Sequence, residues 1–260
     1  MKIGACYGWK IPQITLLKEC GCDCFEPALF TLAQESDDEL KEARRAADDM
    51  GIFCAAFNGM FPGNIRLLEG PEGYGAVREY LKTVLPKAKI LGGEVVVLGA
   101  GSARRIPEGM DHGEALKRFK DVLAEAILPL TREFGYTVAI EELRKEECNF
   151  INTAREASEI ADALGGDGVG LHIDYFHTVL GGESIDDIAN YCGKIRHVHL
   201  SSIKHFREYP KTDDVEEFTA LRNAFGKAGY DGCATFEGVI NGDHRENLLE
   251  AVATVRKAGF

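Results

Sequence analysis

The sequence predicts an α/β fold, a single (β/α)8 TIM barrel over residues 1–260, and three observations carry that expectation. Short β-branched or apolar runs alternate with longer runs of 3.6-residue periodicity, the pattern of parallel strands joined by crossover helices. Eight such pairs fit in 260 residues, about 32 per unit, close to the roughly 250 residues of a closed barrel. The first strand–helix turn, Cys6-Tyr7-Gly8-Trp9, lacks the GxGxxG that a doubly wound dinucleotide-binding sheet carries there. No Pro/Gly/Ser linker, low-complexity tract or charge block divides the chain.

Each element has its own signal. Strand 2–6 opens the chain and helix 12–19 follows; strand 22–26 ends on Glu26 with Cys22 and Cys24 on one face. The Cys20, Cys22, Cys24 run therefore reads as strand packing rather than a soft-metal site. Ser36 and Glu39 make a capping box for helix 37–50, which Gly51 stops before strand 53–57. Helix 75–91 leads into strand 94–98, with its Val95-Val96-Val97-Leu98 run. Helix 113–134 stops at Gly135, and strand 137–141 ends in Ala139-Ile140-Glu141. Asn152, with Arg155 and Glu156, reads as the N-cap of helix 153–164. Strand 169–174 ends in His172-Ile173-Asp174, and helix 185–192 precedes strand 195–200 with its His197-Val198-His199. Helix 215–228 stops at Gly229, strand 233–237 ends in Thr235-Phe236-Glu237, and helix 245–258 closes the count.

Composition removes whole classes of function. Thirty Lys and Arg against 42 Asp and Glu leave a net charge of −12, which opposes nucleic-acid binding through phosphates. The N-terminal MKIGACYGWK has no apolar h-region, and no apolar run approaches the ~20 residues that span a bilayer. Neither a signal peptide nor a membrane partner is expected. Eight cysteines over 260 residues are too sparse for a disulfide framework, so a reduced, cytoplasmic protein is expected. Nothing here opposes a homo-oligomer.

The chemistry gathers at strand ends, where barrels place it. Glu141, Asp174, His199 and Glu237 end four consecutive strands, 33, 25 and 38 residues apart. If they point inward, then Ile140, Ile173, Val198 and Phe236 point outward against the helices, so all four strands share one phase. Charges converging inside a barrel are costly unless paired or metal-bound. Three carboxylates and one imidazole suit one divalent ion, Mn²⁺ or Mg²⁺ first and Co²⁺ or Zn²⁺ next, and the absence of a cysteine opposes structural zinc.

An ordered set of motifs then resembles the xylose isomerase-like barrel superfamily. It runs through Leu98-Gly99-Ala100-Gly101-Ser102, Ile140-Glu141-Glu142-Leu143 with Glu147-Cys148-Asn149-Phe150, Asp174-Tyr175-Phe176-His177, His197-Val198-His199, and Gly229-Tyr230-Asp231-Gly232 before Phe236-Glu237. Within it, the sugar isomerase and epimerase group containing tagatose 3-epimerase-like enzymes and hydroxypyruvate isomerase is the most similar part. The resemblance implies that Glu141, Asp174, His199 and Glu237 hold one divalent metal, with Glu141 and Glu237 also the acid/base pair. It implies that Glu147 and His177 contact substrate. The family arginine six positions after the metal histidine falls on His205 here, and Arg207 takes its role if the loop carries a small insertion.

The sequence departs from the family after Glu141, where Glu142-Leu143-Arg144-Lys145 replaces a common Pro-Leu-Asn-Arg run, and in the lengthened, charged segment from Lys204 to Asp213. Glu26 faces the same interior as the four ligands and either contacts substrate or caps a loop. His172 and His197, one pleat below Asp174 and His199, read as supporting or packing residues. Trp9 and Phe61 read either as an apolar wall for a sugar face or as packing. Arg104 and Arg105 read as an anion clamp or a surface ion pair, and Asp111, His112 and His244 as solvated loop residues.

The expected function is that of a metal-dependent isomerase or epimerase acting on a sugar or sugar-like carbonyl compound. The reaction would transfer a proton through a metal-stabilised enediolate. A lyase on the same scaffold, dehydrating an inosose or keto acid or cleaving an oxidised glycoside, is the main alternative. An endonuclease IV-like phosphodiesterase and a non-catalytic ligand-binding barrel are the others.

Overall fold

A computed structural model describes residues 1–260. The strands are β1 (Lys2–Cys6), β2 (Cys24–Glu26), β3 (Phe53–Cys54), β4 (Val95–Leu98), β5 (Thr137–Glu141), β6 (Val169–Asp174), β7 (Ile195–Leu200) and β8 (Cys233–Phe236). All neighbours pair in parallel, in the order β3-β2-β1-β8-β7-β6-β5-β4. Phe57 joins the two outer strands: its N–H donates to the Val95 carbonyl at 2.9 Å and its carbonyl accepts from Val97 N–H at 2.8 Å.

Around this sheet lie α1 (Ile11–Glu19), α2 (Asp37–Met50), α3 (Tyr74–Leu91), α4 (Gly101–Arg104), α5 (His112–Val122), α6 (Leu128–Glu133), α7 (Ala154–Ala163), α8 (Tyr175–Leu180), α9 (Val215–Lys227) and α10 (His244–Lys257). One cluster of 71 buried apolar residues fills the space between strands and helices. The outward strand residues Ile140, Ile173, Val198 and Phe236 all belong to it. That agrees with the alternation expected of them.

Four local expectations are corrected. Strand β2 begins at Cys24, not Cys22, although the sulfurs of Cys20, Cys22 and Cys24 form no ligand cluster, in keeping with the packing reading. Strand β3 ends at Cys54 because the chain changes partners there: Ala55 N–H still reaches Phe25 on β2, whereas Phe57 has moved to β4. The long fourth helix is broken by a π-helical turn, Leu123–Ile127, just before Pro129. Proline has no N–H to offer the carbonyl four residues back, and the Arg78 guanidinium takes that Glu125 carbonyl instead, at 2.9 Å. Residues 185–191 form a 3₁₀ rather than an α-helix.

Caps also shift. Ser36 and Glu39 make the expected capping box, and Gly51 ends α2 at φ 64°. For α7 the cap is Thr153, whose Oγ1 accepts from Glu156 N–H at 3.2 Å. Asn152 instead donates to the carbonyls of Leu143 and Cys148, at 2.6 and 2.7 Å, and ties down the loop after β5. Asp111 is the N-cap of α5, and the His244 ring stacks edge-on against Tyr7 at 4.1 Å.

Gly4 on β1 shows how tightly the ring is drawn: a Cβ there would sit 2.2 Å from the Cys24 carbonyl oxygen of β2. Backbone cannot yield as a flexible side chain does. Gly4→Ala is expected to lower unfolding free energy by roughly 1–3 kcal/mol, read as a reduced urea midpoint; an unchanged midpoint would contradict this packing.

Candidate active site

The site grows out of the C-terminal strand ends. Glu141 is the last residue of β5, Asp174 of β6, and His199 the penultimate residue of β7. Glu237 follows β8 directly, its N–H bound to the Leu200 carbonyl at 3.2 Å. One ligand atom from each of these four lies within 4.8 Å of the others. His199 Nδ1 is 3.3 Å from Glu237 Oε2. The strand-end phase thus brings together all four residues expected to hold a metal.

Gly99, after β4, makes room for Glu141: a Cβ there would lie 2.0 Å from Glu141 Oε2. Asp174 does two things with its two oxygens. Its Oδ1 caps α8, accepting from the N–H groups of Phe176 and His177 at 2.8 and 3.2 Å. Oδ2 remains for the centre, 3.5 Å from His177 Nε2. The same cap swings His177 back over the strand end, where it is fully buried.

Arg207, rather than His205, reaches the centre. Its Nη2 donates to Glu237 Oε2 at 2.8 Å, His177 Nε2 at 3.1 Å and Asp174 Oδ2 at 3.2 Å, while Nη1 reaches Glu147 Oε1 at 3.3 Å. His205 instead pairs with Asp213 at 2.9 Å. Arg207 is presented by a tight turn in which Ser202 N–H meets the Glu208 carbonyl and Arg207 N–H the Ser202 carbonyl. Both Phe206 and Arg207 have positive φ, 49° and 70°. The turn rests on bare Gly238, where a Cβ would meet the Arg207 carbonyl at 2.2 Å.

Glu26 corrects an expectation. It is fully buried with both oxygens engaged by protein, so in this structure it supports His199 rather than offering a free oxygen to substrate. Its Oε1 meets His199 Nε2 at 3.0 Å, and Oε2 meets His197 Nε2 at 2.7 Å and the Thr235 hydroxyl at 2.5 Å. Sequence reasoning passed over Thr235, yet its inward position two residues before Glu237 is the same period-two signal. His172 packs its ring 4.0 Å from that of His199, with neither ring nitrogen hydrogen-bonded.

Arg104 is neither anion clamp nor surface pair. It is fully buried, donating to the Leu98 and Ile151 carbonyls at 2.9 and 3.4 Å, and so pins the loops after β4 and β5. Arg105 is exposed and donates to the Glu147 carbonyl. Glu142 is fully buried and accepts from Asp174 N–H at 3.2 Å and from the Thr178 hydroxyl. Burial holds its carboxyl well above the usual range. Trp9 is buried under Lys10 and, with Cys6, Tyr7, Glu26 and Asn58, lines a cleft of about 330 Å³. Phe61 packs on Tyr80.

The electrostatics describe a site short of positive charge. Burial, then the nearby Glu237 and Asp174 carboxylates, push Glu141 well above the ordinary carboxylate range. Burial also raises Glu237, but His199 and Arg207 outweigh it and bring that group down to about 2. Burial opposes the charged form of Glu26 too, and its two imidazoles hold it well below the usual range. His199 Nδ1 is buried with no hydrogen-bond donor or acceptor of good geometry. With Nε2 committed to a carboxylate, that is the arrangement of a metal-binding imidazole. The donor set therefore fits one divalent ion held by Glu141, Asp174, His199 and Glu237. Glu26→Gln is expected to raise the Mn²⁺ dissociation constant about 10–100-fold with the far-ultraviolet circular dichroism unaltered. Unchanged affinity would contradict the assignment.

The family model described as xylose isomerase-like TIM barrel matches residues 14–258. L-Ribulose 3-epimerase of Mesorhizobium japonicum is 25% identical over 243 residues, covering 92% of this chain and 78% of that protein. A ketose 3-epimerase of Arthrobacter globiformis is 29% identical over 106 residues, a match spanning only 40% of this chain and 36% of that protein. The crystal structure of a D-psicose 3-epimerase with D-fructose superimposes with a TM-score of 0.82 at 20% identity, over 99% of this chain and 96% of that one. The chain belongs to the xylose isomerase-like TIM barrel family.

Proposed function

We propose that the chain, as one barrel domain over residues 1–260, is a divalent-metal-dependent isomerase or epimerase of a sugar or sugar-like carbonyl compound. The observation that carries this reading is the convergence of ligand atoms of Glu141, Asp174, His199 and Glu237 within 4.8 Å. Glu147, His177 and Arg207 stand on its rim. The epimerases among its relatives support the same reading. All eight cysteines are free, which supports a reduced, cytoplasmic setting. No helix is long and apolar enough to cross a membrane.

A divalent ion bound by the four ligands supplies Lewis-acid stabilisation of the negative charge that develops when a proton leaves the carbon beside a carbonyl. Mn²⁺ or Mg²⁺ suits the oxygen-rich set best, with Co²⁺ or Zn²⁺ next. The chain's own residues do the rest. Glu141 and Glu237 approach from strands three apart around the ring, so one carboxylate takes the proton and the other returns one. Return to the opposite face of the same carbon inverts it; return to the neighbouring carbon exchanges aldose and ketose. Arg207 offers Nη1 and Nη2, now spread over Glu147, Asp174, His177 and Glu237, to hydroxyl or carbonyl oxygens of the substrate. His177, kept neutral chiefly by burial, can accept from or donate to a substrate oxygen.

Manganese-loaded protein incubated with a panel of ketoses and aldoses in D₂O is expected to place deuterium on carbon next to the carbonyl and to interconvert at least one pair. Glu141→Gln and Glu237→Gln should each cut turnover by at least about 100-fold. Absence of both exchange and interconversion across the panel would contradict the proposal, and release of water or an aglycone would move it to the lyases.

A further inference from the structure

The segment between β7 and α9 carries charge that the barrel site does not use. Its ends meet: His205 Nε2 lies 2.9 Å from Asp213 Oδ1, and ligand atoms of His205, Asp213 and Asp214 fall within 4.8 Å of one another. Asp213 is exposed, but Asp214 is fully buried. Asp214 Oδ2 accepts the Lys211 N–H at 2.8 Å, while Oδ1 has no hydrogen-bond partner. A buried carboxylate oxygen left bare is unfavourable and calls for a cation.

The cation nearest to it is the Lys204 ammonium, 3.8 Å away and half-exposed on its flexible stem. That distance is too long for a hydrogen bond, and Lys204 donates instead to the Asp213 carbonyl at 2.5 Å. Glu208 and Lys211 pair with each other at 3.4 Å. The Lys204 ammonium is thus spent on a backbone carbonyl and only distantly offsets the Asp214 carboxylate.

We propose that His205, Asp213 and Asp214 form a second divalent-cation site, on the loop and separate from the barrel ligands, suited to a borderline ion such as Zn²⁺. One imidazole nitrogen and two carboxylate oxygens are ordinary zinc ligands, with water completing the shell. The 2.9 Å between Nε2 and Oδ1 is a spacing that ligands at about 2.0–2.2 Å from a shared ion can adopt. On binding, the Nε2 proton that His205 shares with Asp213 is released to solvent, the freed Nε2 lone pair goes to the ion, and Lys204 swings out to solvent. The ion then ties residue 205 to residues 213 and 214, and Arg207 lies on the span between them. The cation site does not depend on the function proposed above; its effect on Arg207 does.

The test is equilibrium dialysis against Zn²⁺, counting metal per chain in the wild type, His205→Ala, Asp213→Asn and Lys204→Met, with circular dichroism to confirm each fold. His205→Ala and Asp213→Asn are expected to bind one zinc fewer than the wild type. Lys204→Met should keep the full count and bind the weaker zinc several-fold more tightly, because a competing charge is gone. Equal counts in the wild type and both loop variants would overturn the proposal, as would weaker zinc binding in Lys204→Met. Failure of the barrel site lowers all four counts together, so the two failures are distinguishable.

Discussion

The hydrogen bond between Glu26 and His199 is the interaction on which the rest of the site depends. An imidazole has two nitrogens, and at this depth each needs a partner. Glu26 engages Nε2 at 3.0 Å, which fixes the ring and leaves Nδ1 facing Glu237. Glu26 is itself a fully buried carboxylate, tolerable only because His197 and Thr235 engage its second oxygen. Strands β2, β7 and β8 are thereby locked in register around one acid, and a slip of one residue would turn each contributor away.

Above that layer, the same economy of groups positions the rim. Asp174 divides its oxygens between capping α8 and facing the centre, so the helix that carries His177 is anchored by a member of the site. Two bare positions make the close approaches possible. Gly99 lets the Glu141 carboxylate lie against the β4 turn, and Gly238 lets the strained Arg207 turn rest on the chain after β8. The Arg207 guanidinium bridges Asp174, Glu147 and Glu237, the position from which it would meet a substrate.

Much of this was legible because a parallel strand buried on both faces still alternates. The phase of Glu141, Asp174, His199 and Glu237 could be read from their apolar neighbours alone, and the spacing of the units closed the ring. What the sequence hid were choices made between elements. Phe57 leaves β2 for β4, so β3 is shorter than its apolar run. Glu26 was visible as an inward acid, but only the placement of His197 and His199 on a strand far along the chain decides that it turns down rather than out. Arg104 reads as a charged loop residue and is buried, because the Leu98 and Ile151 carbonyls need donors where two loops cross. Arg207 replaces the arginine expected two positions earlier because the turn at Ser202–Glu208 adds length before it reaches inward.

The most direct test of the central claim is electron spin-echo spectroscopy of the protein loaded with one Mn²⁺ per chain, so that only the tighter barrel site is filled, with its histidine nitrogens labelled. One imidazole nitrogen coupled to the manganese, lost in His199→Ala and kept in His172→Ala and His205→Ala, is the predicted result. No nitrogen coupling, or coupling that survives His199→Ala, would contradict the account.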